Sequence, residues 1–246
     1  MTARRTILAL ALAAAALAAP AARAQSKADA FAGKIPPVSG QLYQKAGRFE
    51  ATLTGNLSLN DAFFTKYFGG VKVGYHLNEF FSVSAQAAAG ITRTTNSTTL
   101  CPANAGCREA SAYQLFQVPG DLKAVYGLEV AWSPVYGKLN AFSEKVAHFD
   151  LSILVGGDLI AYRDVISSAR AAELEAAGGE PDVVRTFGGH VGLGVRAFVT
   201  PWMALRLEVK DYLFAVAVPN GGTDKKLQSQ LFTELGASFF FPSSKR

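Results

Sequence analysis

Residues 66–90 read KYFGGVKVGYHLNEFFSVSAQAAAG. From Tyr67 to Leu77, apolar residues and one glycine occupy every second position, and mostly lysine, glycine and histidine stand between them. Since successive side chains of a strand point to opposite faces, this period of two predicts a strand with one apolar and one polar face. The chain then turns at Asn78-Glu79, and the pattern resumes from Phe81 to Ile91. The stretch is therefore predicted to be a β-hairpin with a tight turn.

The same alternation continues along most of the chain. It is present in six further segments, at 47–59, 122–133, 149–159, 187–199, 203–210 and 230–241. The links at Asn78, Pro134 and Pro201 are shorter than the later links on the other side, at Cys101, Ser168 and Gly221. Short turns at one end and long loops at the other are typical of the barrels of Gram-negative outer membranes. We therefore predict an all-β fold, a closed antiparallel transmembrane β-barrel of about eight strands.

A leader precedes the predicted barrel. Arg4-Arg5, an apolar run and a site ending at Ala24 indicate that residues 1–24 are a cleaved secretory signal peptide. Residues 25–46 have no sustained period and are expected to form a periplasmic lead-in, followed by the barrel at 47–241 and a short tail at 242–246. The leader holds three of the arginines behind the net charge of +5. Charge is therefore a weak argument for nucleic-acid binding, and we expect no nucleic-acid partner.

Alternation alone does not distinguish a membrane barrel from a soluble barrel turned inside out. The polar face is crowded with glycines, which weaken an exposed strand but make room for long charged side chains inside a narrow barrel. Aromatic residues near the strand ends of the apolar face suit interfacial girdles: Tyr67, Tyr75, Phe81, Trp132, Tyr162 and Phe241. We therefore expect the apolar face to contact outer-membrane lipid.

Charged residues of balanced sign are predicted to point into the barrel. They are Arg48, Glu50, Lys72, Lys123, Glu129, Asp150, Asp158, Arg196, Arg206, Glu208, Lys210 and Glu234. Because an unpaired buried charge is costly, we expect a network of ion pairs that plugs the interior. Asp150 is predicted to pair with Arg196, and Glu234 with Arg206. A narrow polar conduit is the alternative.

The cysteines number two, Cys101 and Cys107, and both lie in a polar stretch of an exported chain. An even count in this setting predicts a disulfide that closes a small external loop. We expect no metal site here, since metal chemistry normally brings more ligands.

The sequence shows no convincing catalytic arrangement. His148, Asp150 and Ser152 share one strand face, but side chains two residues apart on a strand are separated by about 6.6 Å, too far for a triad. His76 and His190 are interpreted as inward polar filler. We expect no enzymatic activity and no cofactor, and an outer-membrane lipid-modifying enzyme is a remote alternative.

A run from Lys45 to Ala85 resembles a known family. Its matching features are Gly47-Arg48-Phe49-Glu50, Leu59-Asn60-Asp61 and Tyr75-His76, together with VYGKLNAFSEKVAHFDL at 135–151. On these features the chain resembles the outer-membrane β-barrel domain family common in myxobacteria and related bacteria, over 44–241. The resemblance implies the fold and the location, and it implies no defined activity.

These features favour a structural, anchoring or interaction protein of the cell envelope. Envelope partners are expected to contact loops 93–120 and 163–183, or the link 134–146, which is interpreted as a longer turn with some helical character. A narrow channel or transporter for small solutes is the alternative function.

Overall fold

The computed structural model describes residues 43–100, 106–141, 145–217 and 225–242. In these ranges the strands are β1 (Phe49–Ser58), β2 (Phe64–His76), β3 (Phe81–Thr94), β4 (Thr99–Leu100), β5 (Arg108–Glu109), β6 (Leu122–Ala141), β7 (Lys145–Arg163), β8 (Val183–Thr200), β9 (Met203–Ala217) and β10 (Lys225–Phe241). Eight of them close into an antiparallel barrel in the order β1-β10-β9-β8-β7-β6-β3-β2, with β2 paired to β1. The predicted eight-stranded barrel is therefore confirmed. The predicted signal peptide, most of the lead-in and Cys101 lie outside the described residues.

The loop side of the barrel carries short additional elements. β4 and β5 pair into a two-stranded ribbon, and a one-turn helix spans Ala112–Leu115. A second helix spans Ser168–Ala176, and the Ser167 hydroxyl caps it by accepting a hydrogen bond from the Arg170 N–H. Gly178, at φ +66°, follows the end of that helix, in the left-handed conformation that commonly ends helices. No helix in the described ranges is long and apolar enough to cross a membrane.

The predicted turn with helical character at 134–146 is wrong. β6 continues to Ala141 and β7 begins at Lys145, so most of this link belongs to two long strands. A register shift between Trp132 and Val135 marks a β-bulge around Pro134. Proline cannot donate to a sheet ladder but is tolerated at a bulge, which explains why it does not end the strand.

A second register shift, between Leu122 and Ala124, reverses which side chains at the loop end of β6 face the interior. Leu122 is consequently buried in the barrel rather than on its outer face. Its partner Tyr162 is also buried, so the prediction that Tyr162 belongs to an outer aromatic girdle is wrong. Both side chains join an apolar cluster that fills the loop end of the interior, with Phe68, Tyr212, Phe214 and Phe232.

The two faces of the wall have opposite chemistry. Leu53, Leu128 and Leu193 on the outside are 61, 65 and 66% exposed. Lys72, Glu129 and Lys210 on the inside are at most 2% exposed. An apolar outer face and a charged interior are the inverse of a soluble protein, in which lysine and glutamate are almost never fully buried.

Candidate functional site

Two lysines and three glutamates occupy the middle of the barrel. The Nζ of Lys72 lies 2.8 Å from Glu208, 3.1 Å from Glu129 and 3.5 Å from Glu234. The Nζ of Lys210 lies 2.9 Å from Glu208, 3.0 Å from Glu129 and 3.3 Å from Glu234. Each ammonium therefore contacts the same three carboxylates. Such sharing satisfies buried charges that would be very unfavourable singly.

A second group of ion pairs lies nearer the short turns. Glu50 accepts from Arg196 and Arg206, both at 3.0 Å. Arg196 also contacts Asp150 at 3.1 Å, so the predicted pair of these two residues is confirmed. Arg206 continues to Glu208, which joins this group to the central one.

The predicted pair of Glu234 with Arg206 is wrong. In the β9–β10 register Arg206 faces Gly236, and Glu234 faces Glu208. Glu234 lies one pleat further towards the loops, where it contacts Lys72 and Lys210 instead. Parity places both side chains inside the barrel, but it does not set their heights.

His190 links a further carboxylate to the centre. Its Nδ1 lies 2.6 Å from Asp158, and its Nε2 lies 3.2 Å from Glu129. Ionised carboxylates only accept hydrogen bonds, so this geometry suits an imidazolium ring that donates from both nitrogens. His76 likewise lies 2.8 Å from Glu50. Both histidines point inward as predicted, but they are members of the charge network rather than filler.

Two predicted members of the network lie apart from it. Lys123 is partly exposed at the loop end, because of the bulge beside it, and pairs with Asp121 at 2.9 Å. Arg48 closes the opposite end, where it donates to the backbone carbonyls of Gln44, Phe240 and Pro242. Burial lowers the pKa of the Arg48 guanidinium. The prediction that both side chains join the interior network is therefore corrected.

Lys45 is a member that the sequence reasoning missed. It lies in the predicted lead-in, yet its Nζ reaches 2.6 Å from Asp150 and its side chain is buried. Burial lowers the pKa of this ammonium, an effect that the Asp150 carboxylate opposes. The carboxylate of Glu79 accepts from the backbone N–H groups of Lys45 and Ala46 and holds the segment against the first turn. No periodic signal in the lead-in marks this contact.

Lys66 is a second missed residue. It is fully buried and contacts Asp61 and Gln230, both at 2.5 Å. It shares the parity of Lys72 on β2, so continuing the alternation by three pleats would have found it.

The three residues that resemble a triad do not combine. His148 Nδ1 binds the hydroxyl of Tyr136 at 2.7 Å, and the Ser152 hydroxyl donates to the Gly194 carbonyl at 3.3 Å. Asp150 instead binds Lys45 and Arg196. Each side chain is thus engaged with a different partner, and no proton relay connects them.

Side chains fill the space between the charged groups. A gap bordered by Glu50, Lys72 and Arg206 has no volume for a water-sized sphere. Aromatic residues cover the short-turn end, where Phe198, Phe240 and Tyr43 pack together. The interior is accordingly closely packed at this gap and at the short-turn end.

No family model matches the chain, and no curated protein matches it. Solved structures of similar outline include the N-terminal β-barrel domain of Pseudomonas aeruginosa OprF, 9% identical over 80% of this chain and 98% of that one, with a TM-score of 0.45. The outer membrane protein OprG from Pseudomonas aeruginosa is 12% identical over 80% and 97%, with a TM-score of 0.41. Neisserial surface protein A is 12% identical over 78% and 94%, with a TM-score of 0.35.

Proposed function

We propose that the protein is a small outer-membrane β-barrel that acts as a structural, anchoring or interaction protein of the cell envelope. One observation carries the proposal: apolar side chains cover the outside of a closed barrel whose charges are buried inside. Only lipid or another apolar phase satisfies such an outer face, and a closed barrel has no unpaired edge within the bilayer. Export through a cleaved signal peptide belongs to the same proposal.

Aromatic pairs near the short turns support the membrane location. Phe49 and Tyr75 have ring centroids 4.9 Å apart on the outer wall. Phe81 and Trp132 form a stacked pair at 6.4 Å, and Trp202 stacks on Phe239 at 6.1 Å. A girdle of aromatic rings at one level is what a bilayer interface favours.

The filled interior favours anchoring or interaction over transport. The central lysines, together with Arg206 on Glu208, pair with the three central glutamates, and no space for water remains beside Lys72 and Arg206. Contacts with other envelope components then fall to the loops at 93–120 and 163–183. We also propose that the chain belongs to the outer-membrane β-barrel domain family common in myxobacteria and related bacteria, because the residues at 47–50, 59–61, 75–76 and 135–151 resemble that family.

Fractionation and conductance test this proposal together. We expect the protein in the outer-membrane fraction, migrating differently in SDS gels before and after heating because a closed barrel resists detergent unfolding. Refolded protein in a planar bilayer is expected to give no current above background. A soluble periplasmic species contradicts the membrane location, and steady conductance replaces the anchoring function with the channel alternative.

A further inference from the structure

A cavity of about 510 Å³ opens at the loop end of the barrel. Its walls come from the barrel rim and from both long links, which contribute Leu115 and Phe116 from one link and Glu175 and Glu180 from the other. Pockets of roughly 300–1,000 Å³ are typical of small-molecule sites. This cavity is separate from the packed charges below it, because the apolar cluster around Leu122 and Tyr162 fills the loop end of the interior.

The charged groups of the cavity have an acidic excess. Four acids line it, Asp121, Asp164, Glu175 and Glu180, against two bases, Lys123 and Arg163. Both bases are already neutralised, since Lys123 pairs with Asp121, and Arg163 pairs with Asp121 and Glu180.

Two carboxylates are left over. Within the described ranges, neither Asp164 nor Glu175 forms an ion pair, and Asp164 accepts a hydrogen bond from the backbone N–H of Val165 at 2.9 Å. The uncompensated charge of the cavity is therefore negative and favours a cation.

The remaining wall is apolar and partly aromatic. Phe64, Leu115, Phe116 and Val118 line it, and the two phenylalanines are buried residues. Aromatic faces attract organic cations through their quadrupole and also bury apolar substituents. An inorganic ion gains no favourable contact from an apolar wall. Among the described residues, no group of three acidic, histidine or cysteine side chains could hold a metal ion.

The geometry points to a binding site for a small organic cation, a primary or substituted amine that carries an aromatic or aliphatic group. The ammonium lies towards Asp164 and Glu175, and the apolar group lies against Phe64 and Phe116. This site goes beyond the proposed anchoring function, and its chemistry does not depend on where in the cell the protein resides.

Calorimetry on refolded full-length protein in detergent tests the ligand class with three compounds of similar shape. These are 2-phenylethylammonium, the neutral 2-phenylethanol and the anionic phenylacetate. We expect the cation to bind about tenfold more tightly than the alcohol, and phenylacetate to bind least. Equal affinity for all three, or tightest binding of phenylacetate, overturns the inference.

A matched pair of variants on one helix tests the location. Glu175 lines the cavity, whereas Glu173 lies outside the cavity lining and pairs with Arg170. Glu175→Gln is expected to weaken binding of 2-phenylethylammonium about threefold, Asp164→Asn by a similar factor, and Glu173→Gln not at all. Equal losses from Glu173→Gln and Glu175→Gln, or none from either cavity variant, contradict the assignment. A water-soluble protein that still binds the cation would contradict only the proposed membrane function, so the two failures are distinguishable.

Discussion

The ammonium of Lys45 lies 2.6 Å from the Asp150 carboxylate, although 105 residues separate them. Lys45 precedes β1, and Asp150 lies in β7, so the contact ties the entry of the chain to the far wall of the barrel. With Glu79 holding the adjacent backbone, the segment forms part of the closure at the short-turn end.

Replacing Lys45 by methionine is expected to destabilise the barrel without preventing its assembly. Asp150 keeps Arg196, so the loss should be about 1.5–3 kcal/mol, the usual value for a hydrogen bond to a charged group. Urea unfolding of the refolded protein measures it. Lys225→Met, at an exposed position of β10, is the control and should change stability by less than about 0.5 kcal/mol. Equal effects of the two variants contradict the structural role of Lys45.

Replacing Arg196 by alanine removes one cation from between Glu50 and Asp150. Breaking a buried pair by removing one partner costs roughly 3–5 kcal/mol, because a charge is left in a medium of low polarity. The double variant Arg196→Ala with Glu50→Gln restores the charge balance and should recover part of that loss. A double-mutant cycle in urea with no positive coupling would show that the two side chains do not interact.

Replacing His190 by glutamine removes the imidazole ring that contacts Asp158 at 2.6 Å. We expect a large loss of stability, and partial recovery when Asp158→Asn is added, because both members of the pair are then neutral. His148→Gln is the control, since His148 contacts a tyrosine hydroxyl instead of a carboxylate. Nitrogen NMR of labelled histidine should show both His190 ring nitrogens protonated near neutral pH, and a neutral ring would contradict the bridge.

Gly127 and Gly157 lie on neighbouring strands but face opposite sides of the wall. A Cβ at Gly127 would collide with the Asp158 carboxylate inside the barrel, whereas a Cβ at Gly157 meets nothing within 4 Å. Gly127→Ala is therefore expected to destabilise the protein by about 1–3 kcal/mol, the usual cost of overpacking. Gly157→Ala should be neutral or slightly stabilising. The temperature at which each variant changes its migration in SDS gels measures its stability. A lower temperature for Gly157→Ala than for Gly127→Ala would mean that the two faces are misassigned.

Cys101 and Cys107 are predicted to form a disulfide in the external link. Mass spectrometry of the exported protein is expected to find them joined, and reduction should alter the loop while the barrel stays assembled. Labelling of both cysteines by a thiol-specific reagent only after reduction gives the same information. Two free thiols before reduction would contradict the prediction.

Alternation in the sequence was enough to assign the faces of the wall. Leu53 and Lys72 lie on the sides that their parity predicts, because a strand sends successive side chains to opposite faces. It failed at Leu122 and near Pro134, where a bulge inserts a residue and changes the register. The cavity at the loop end of the barrel was not predicted either, because its acidic residues lie in links without any periodic pattern.

The sequence by itself determined the strand number, the two-sided wall and the identity of most buried charges, since these depend on local periodicity and on composition. Only the tertiary structure decided which charges meet. Lys72 contacts Glu208 across 136 residues, and Arg206 chooses Glu50 over Glu234. Those choices depend on strand order, register and closure of the ring, which bring distant side chains to one height inside a narrow barrel.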